Sequence, residues 1–533
     1  MDSDRKLAYV NRFFLVTLVS LLASISLGAP TFATDTKIGP ACTKSGSRQV
    51  DNKGNKYVCQ LKGKKLLWSS VLKNTNPNGG QNNTQTQYAL GLLGSSCSTN
   101  GQLAWNGEMT GICKNGKVAY PLAIDVPKTP KNGFTSKPGW YPSLSQIFGG
   151  PSGKEPTCSP STIKFTSPVI PLDKMAPIVP YGLTVGGHVT PIDHAYIGIT
   201  SLSISQSLRT DADYVPVTAP ADGTIIELSS LGSPTSHRVV IDHGCNVVSV
   251  YMVLNKVTGV LANLANDVES KQYLRPGIKI KAGQEFGRQR DNMLDFNVFD
   301  GSAWLSGFQN PQAYLSGDTW KPYTADFLPF FSSSIRSAME AQLQKTSTPR
   351  VGKIDYDVAG SASGNWFLQG TNGYGGRLNS DYINAKSTLH SGSVPGKNEY
   401  SWSHLSIAPH QVDTTQWIFS SGWWKDPNGD ADQALLVVGP GQVTPDKLTA
   451  SNGMVIYKLT QISYQDPVGA PAREPGSMAP FAVGYTVTAG GVDRGVVALQ
   501  VNSDGTLSVE INATSNSPAN FTGFTSAKRI YSR

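Results

Sequence analysis

Residues 215–300 carry four apolar, β-branched phrases in succession: VPVTAPADGTIIEL, HRVVIDHGCNVVSVYMVL, LRPGIKIKAGQEFG and MLDFNVFD. Gly, Pro, Asp and Asn punctuate them. Runs of Val, Ile and Thr cut by such residues favour strands, because branched side chains pack well on a pleated surface and crowd a helix. Composition agrees: only 15 % of residues are charged, and 54 Gly and 34 Pro punctuate 533 residues. That balance suits turn-rich β structure better than helical bundles or a disordered chain. The length exceeds what one core usually organises, so three or four domains are expected.

The first 33 residues read as a secretory signal. Arg5, Lys6 and Arg12 precede an apolar run over 13–27, and Thr31-Phe32-Ala33 places small residues where a signal peptidase reads them. No other stretch is long and apolar enough for a membrane span. The mature chain is therefore expected to be secreted or cell-envelope associated, with no transmembrane segment after signal cleavage. The formal charge of +8 is spread thinly, its densest cluster being Lys62, Lys64 and Lys65. A merely solvated basic surface accounts for this best, with weak attraction to anionic wall polymers or membrane surfaces as the alternative. No nucleic-acid motif is present.

Six cysteines suit an exported chain. Cys42 and Cys59 lie in one short unit, Cys97 and Cys113 in a second of similar plan. Each unit opens on Gly-x-x-Cys-x-x-x-Gly and continues to a Cys, a Gly-Lys turn and an aromatic residue. Units this small bury too little apolar area to fold unaided, so each is expected to hold one disulfide. Elimination leaves Cys158 with Cys245. The expected order is a signal at 1–33, a Cys-paired repeat at 34–72, a polar linker at 73–92, a second repeat at 93–124 and a loose linker at 125–160. A central β domain at 161–330, a connector helix at 331–348 and a C-terminal β domain at 349–533 follow. Ile335, Met339 and Leu343 at helical spacing mark the connector.

The C-terminal part offers VGKIDYDVAG, GNWFLQG, WSHLSIAPH, ALLVVG, GMVIYKLTQISY, FAVGYTVTA, GVVALQV and LSVEINA as strands. So many strands in under two hundred residues imply an antiparallel barrel or sandwich. Gly364-Asn365-Trp366 resembles the Gly-x-Trp near the first strand of lipocalins, over three residues only. Trp402, Trp417, Trp423 and Trp424 are expected mostly as core aromatics of that domain, with an apolar pocket or sugar-stacking face as the alternative.

The order and wording of the four central phrases resemble the lysostaphin-type (LytM-like) peptidoglycan endopeptidases, whose β fold is a duplicated hybrid motif. That resemblance implies a zinc held by a His-x-x-x-Asp pair and the second His of a His-x-His, with a catalytic His in a Tyr-x-His-Leu step. Carried onto this chain, the first pair falls in GGHVTPIDHAYIGIT. His194 takes the histidine slot and leaves Gly198 in the aspartate slot. The alternative register, through His188, puts Asp193 one residue too far, on the opposite side of a strand. Val253 stands in the catalytic-histidine slot of Tyr251-Met252-Val253-Leu254. Met293 and Asp295 occupy the His-x-His slot. His243 matches a histidine often seen in its phrase, and His237 reads as surface. The candidate vestigial site is thus His188, Asp193, His194, His243 and Asp295, with Gly198, Val253 and Met293 as degenerate slots. Removing Asp295 is then expected to cost no more than a surface substitution, about half a kcal/mol.

Catalysis by zinc needs three ligands and an open position for water, and these slots do not supply them. The expected function is an exported non-catalytic binding or scaffold protein on a degenerate peptidase fold. Peptidoglycan or other cell-envelope polymers are its expected partners, and no cofactor is expected. Two alternatives stay open: a divergent wall endopeptidase, which would need zinc, and ligand or glycan binding by the C-terminal domain.

Overall fold

The Gly- and Asp-bounded phrases pair as strands in the computed structural model. It describes residues 133–148, 156–200, 210, 213–376, 400–422, 433–437 and 442–533, less positions 186, 234, 272, 291–292, 471–480 and 516, together with strands inside 48–70 and 103–119 and residue 96. The chain is mainly β, as expected. Its first unit contributes β1 (Arg48–Val50), β2 (Lys56–Lys62) and β3 (Lys65–Ser70), a three-stranded antiparallel sheet. Everything from residue 85 onward belongs to the other unit. There β4 (Leu103–Trp105), β5 (Thr110–Lys114) and β6 (Lys117–Ala119) repeat the three-stranded plan. Cys113 is disulfide-bonded. Cys42 and Cys97 lie outside the described residues, so the pairings Cys42–Cys59 and Cys97–Cys113 stay expectations. The third pair, Cys158–Cys245, is formed.

The central region begins with a short helix, α1 (Leu144–Phe148), and continues through β7 (Met175–Val179), β8 (Ala195–Ile199) and β9 (Val215–Thr218). Next come β10 (Gly223–Ser233), β11 (Ser236–Asp242), β12 (Val247–Leu254) and β13 (Lys256–Val257). Helix α2 (Ala265–Lys271) leads to β14 (Tyr273–Leu274), β15 (Ile278–Ile280), β16 (Glu285–Gln289) and β17 (Leu294–Asp300). The main sheet runs β14-β10-β11-β12-β17-β8-β7, with β15 also on β10, beside a small sheet β13-β16-β9.

Period-two alternation divides the main sheet into two buried faces. One presents Val239, Ile241, Tyr251, Phe296 and Ile197 to a core shared with Val217 and Phe286 of the small sheet. The other presents Val240, Val248, Val250 and Phe299 to Tyr141, Leu144, Ile147 and Phe148. The expected linker at 125–160 is therefore not one over 133–148. These four side chains are at most 2 % exposed, and each buried large apolar side chain contributes about 1.5–3 kcal/mol. Polar bonds also fix the segment: Tyr141 Oη donates to Thr319 O (2.7 Å), and Trp304 Nε1 to Phe134 O (3.0 Å).

Helix α3 (Ser333–Gln342) forms where the 3.6-residue spacing predicted it, burying Ile335 and Met339. VGKIDYDVAG is not a strand. It runs irregularly, and its Val351 and Ile354 join the central core. The barrel follows as β18 (Gly364–Leu368), β19 (His404–Pro409), β20 (Trp417–Ser421), β21 (Gln433–Val437), β22 (Val455–Gln465), β23 (Thr486–Val501), β24 (Leu507–Asn512) and β25 (Arg529–Ser532). Each pairs antiparallel with the next, and β25 returns to β18, so the sheet closes as a barrel rather than a sandwich. Closure leaves no sheet edge. FAVGYTVTA and GVVALQV, read as two strands, share the single long β23.

Gly364 opens β18 at φ +120°, where a Cβ would meet Asp357 Oδ1 at 2.2 Å. Beside it the Arg533 guanidinium stacks 4.1 Å above the Trp366 ring and donates to the carbonyls of Ser363, Val358 and Ser361. Barrel and central region share one core, since Phe367 and Tyr374 pack with Tyr314 and Phe308.

Candidate functional site

His194 ends the loop before β8, and Asp295 sits on β17 opposite Tyr196 of β8. Pairing in that register brings His194, Tyr196 and Asp295 to the face that α1 covers. His194 Nδ1 lies 3.3 Å from Asp193 Oδ1, and its Nε2 lies 3.4 Å from both Asp295 Oδ2 and Tyr196 Oη. The imidazole is thus held between two carboxyl groups, one at each nitrogen. Asp193 Oδ2 also accepts from Trp320 Nε1 at 3.1 Å. His188 joins the cluster edge-on, its ring 5.7 Å from that of His194.

Burial sets the electrostatics, and neighbouring charges then modify it. Desolvation disfavours a charged His194, but Asp295 and Asp193 outweigh it and raise its pKa. Burial pushes Asp295 up to about 7, with His194 opposing and Asp193 reinforcing. Burial would raise Asp193 as well, yet Lys321 and then His194 hold it well below the usual range. His188 is pushed down to about 3 by desolvation, then by His194 and Lys321. Lys321 is itself 1 % exposed, with its Nζ 3.1 Å from Tyr374 Oη. Two carboxyl groups therefore sit among an imidazole and an ammonium in a cluster closed to solvent.

Trp320 and Phe148 form the lid. Their rings stack 5.8 Å apart, Phe148 packs on Phe299 at 5.5 Å, and Arg238 lies 5.0 Å above Trp320. The chain's own aromatic side chains thus cover this cluster. Asp193, His194 and Asp295 are 4–5 % exposed. A surface-like cost for removing Asp295 does not suit so enclosed a carboxyl group.

The remaining candidates lie elsewhere. His243 belongs to the opposite face: its Nδ1 donates to Asp222 O (2.9 Å), and its Nε2 accepts from Ser249 Oγ (2.7 Å). Phe165 packs on it at 5.0 Å, and burial pushes its pKa down to about 4. Met252, not Val253, pairs with Asp295. The register between β11 and β12 shifts just there, and Val253 adopts φ +59°. Positive φ is an outlier for a β-branched residue and marks a bulge. Met293 precedes β17, its carbonyl accepting from Gln289 Nε2. Gly198 keeps the strand parity of Tyr196 on β8. His237, read as surface, is 3 % exposed and bridges Leu254 O (3.0 Å) and Glu269 Oε1 (2.6 Å).

Tyr196, Trp320 and Phe148 were missed from sequence. Tyr196 had a signal, since it shares strand parity with Gly198, two residues on. Trp320 and Phe148 had none. Trp402 is buried and Trp417 half-buried, while Trp423 and Trp424 lie outside the described residues.

The donor set does not fit a zinc-peptidase centre. Zinc there wants three strong ligands and an open fourth position. Asp193 stands beyond the opposite nitrogen from Asp295, so the two carboxyl groups do not converge on one point. Among the described residues no group of three His, Cys, Asp or Glu has metal-holding geometry.

No family model matches the chain, and no curated protein matches it. Among solved structures it is similar to one titled the SpoIIQ-SpoIIIAH pore forming complex, at 15 % identity and a TM-score of 0.18, covering 26 % of this chain and 85 % of that chain. At that score the likeness carries no weight for fold or function.

Proposed function

We propose that this is an exported, non-catalytic binding or scaffold protein of the cell envelope. Its central domain is a rigid platform on a degenerate peptidase fold, and cell-envelope polymers such as peptidoglycan are its partners. One observation carries this reading: both nitrogens of His194 face carboxyl groups, and the stacked Phe148–Trp320 pair packs over them. The signal-like first 33 residues support export. Zinc analysis of the purified mature protein, run beside a wall-lysis assay, tests the reading. The expected result is no stoichiometric metal and no lysis. About one zinc per chain, whose removal by chelator abolishes lysis, would overturn it in favour of a divergent endopeptidase.

A further inference from the structure

We infer that the aromatic surface formed by Phe134, Trp140 and Trp304 is a binding site for a neutral pyranose chain. The inference names a partner class for the binding-protein reading and rests on it. Five rings run in contact from surface to core. Phe134 meets Trp140 edge-on at 5.6 Å, Trp140 meets Tyr141 at 5.7 Å, and Tyr141 meets Trp304 at 5.2 Å, with Tyr323 5.9 Å beyond. Tyr141 and Tyr323 are buried, whereas Phe134, Trp140 and Trp304 stay partly exposed.

The outer rings are held before any ligand arrives. Trp304 Nε1 donates to Phe134 O, and Lys137 Nζ donates to Tyr141 O (3.2 Å). Rigid rings bind at low ordering cost. Gly139, next to Trp140, is exposed, and a Cβ added there would meet nothing within 4 Å. Two polar groups at the rim are unspent among the described residues. The Trp140 indole N–H has no acceptor, and the Gln309 amide, packed against Gly133, has no partner.

This combination selects the ligand class. Ring faces suit the C–H faces of a pyranose, while an indole N–H and an amide suit its hydroxyl or acetamido groups. The three rings and Gln309 carry no charge of their own, and Lys137, between Phe134 and Trp140 in the chain, is engaged with a carbonyl.

The test uses the full mature protein with chitotetraose and cellotetraose, read by tryptophan fluorescence and calorimetry. One saccharide carries acetamido groups and the other does not, so the pair separates the two sources of this chemistry. Saturable binding to at least one is expected, weakened tenfold or more in Trp140→Ala and largely kept in Trp140→Phe. Thermal melting of both variants checks that the fold persists, and Phe134→Ala, at a second ring, should weaken binding in the same direction. Failure of both saccharides to bind would overturn the inference, as would wild-type affinity in a folded Trp140→Ala. Released reducing ends or free amines, measured alongside, would instead count against the non-catalytic reading.

Discussion

Asp295 Oδ2 lies 3.4 Å from His194 Nε2, while Asp295 Oδ1 is buried without a hydrogen-bond partner. One oxygen thus serves the imidazole, and the other bears the full cost of desolvation, which is why burial dominates this carboxyl group.

A pH signature follows at Asp295. Its folded pKa is raised to about 7, so between about pH 4 and 7 the native state holds a proton that the unfolded chain has lost. Its contribution to stability therefore falls as pH rises through that window. Asp295→Asn lacks this loss. The melting temperature of the variant, relative to wild type, should be more favourable at pH 8 than at pH 5. A difference that is flat or reversed would contradict the assignment.

Other histidines act in the opposite direction. Burial pushes His188, His404 and His410 down to about 3 and His243 down to about 4. Below the ordinary value near 6.5 the unfolded chain takes up protons that these native imidazoles refuse, so their contribution falls as pH drops from about 6.5 towards 4. Melting temperature should decline over that range, and His410→Gln should make the decline shallower. An unchanged slope in the variant would show that His410 is not the buried neutral imidazole described.

Val253 stores strain that can be released. At φ +59° a β-branched residue is disfavoured, and the left-handed conformation costs L-residues roughly 1–2 kcal/mol, least for Asn and Gly. Val253→Asn is expected to stabilise the protein by about 1 kcal/mol, measured by denaturant unfolding. A clear destabilisation would mean that the packing of Val253 outweighs its backbone strain.

Arg533 ties the end of β25 to the start of the barrel. Arg533→Ala removes the stack on Trp366 and the bonds to three carbonyls, for an expected loss of about 3 kcal/mol. Lysine lacks the planar fork, so Arg533→Lys should recover only part of it. Full recovery by lysine would reduce the contact to simple charge.

The β class, the positions of most strands, helix α3 and the Cys158–Cys245 pair were legible in the sequence. Turn residues, two- and 3.6-residue periodicity and cysteine count are local signals, and local backbone preference answers to them. Along β17, Leu294 and Phe296 face the core and Asp295 the other side, as period-two alternation requires. Three things were decided only by the tertiary structure. The unbroken pairing of β12 with β17, from Val247–Asp300 to Met252–Asp295, put Met252 rather than Val253 opposite Asp295, and the bulge against β11 left Val253 at positive φ. Residues 140–148, which read as a loose Pro- and Gly-rich linker, became the wall over the His194 face, since a short aromatic segment shows its partner only once a sheet is there to pack on. Trp320 reached Asp193 across 127 positions. Periodicity states which side of an element a residue faces. What stands opposite depends on burial of apolar area between elements distant in the chain, and no local pattern records it.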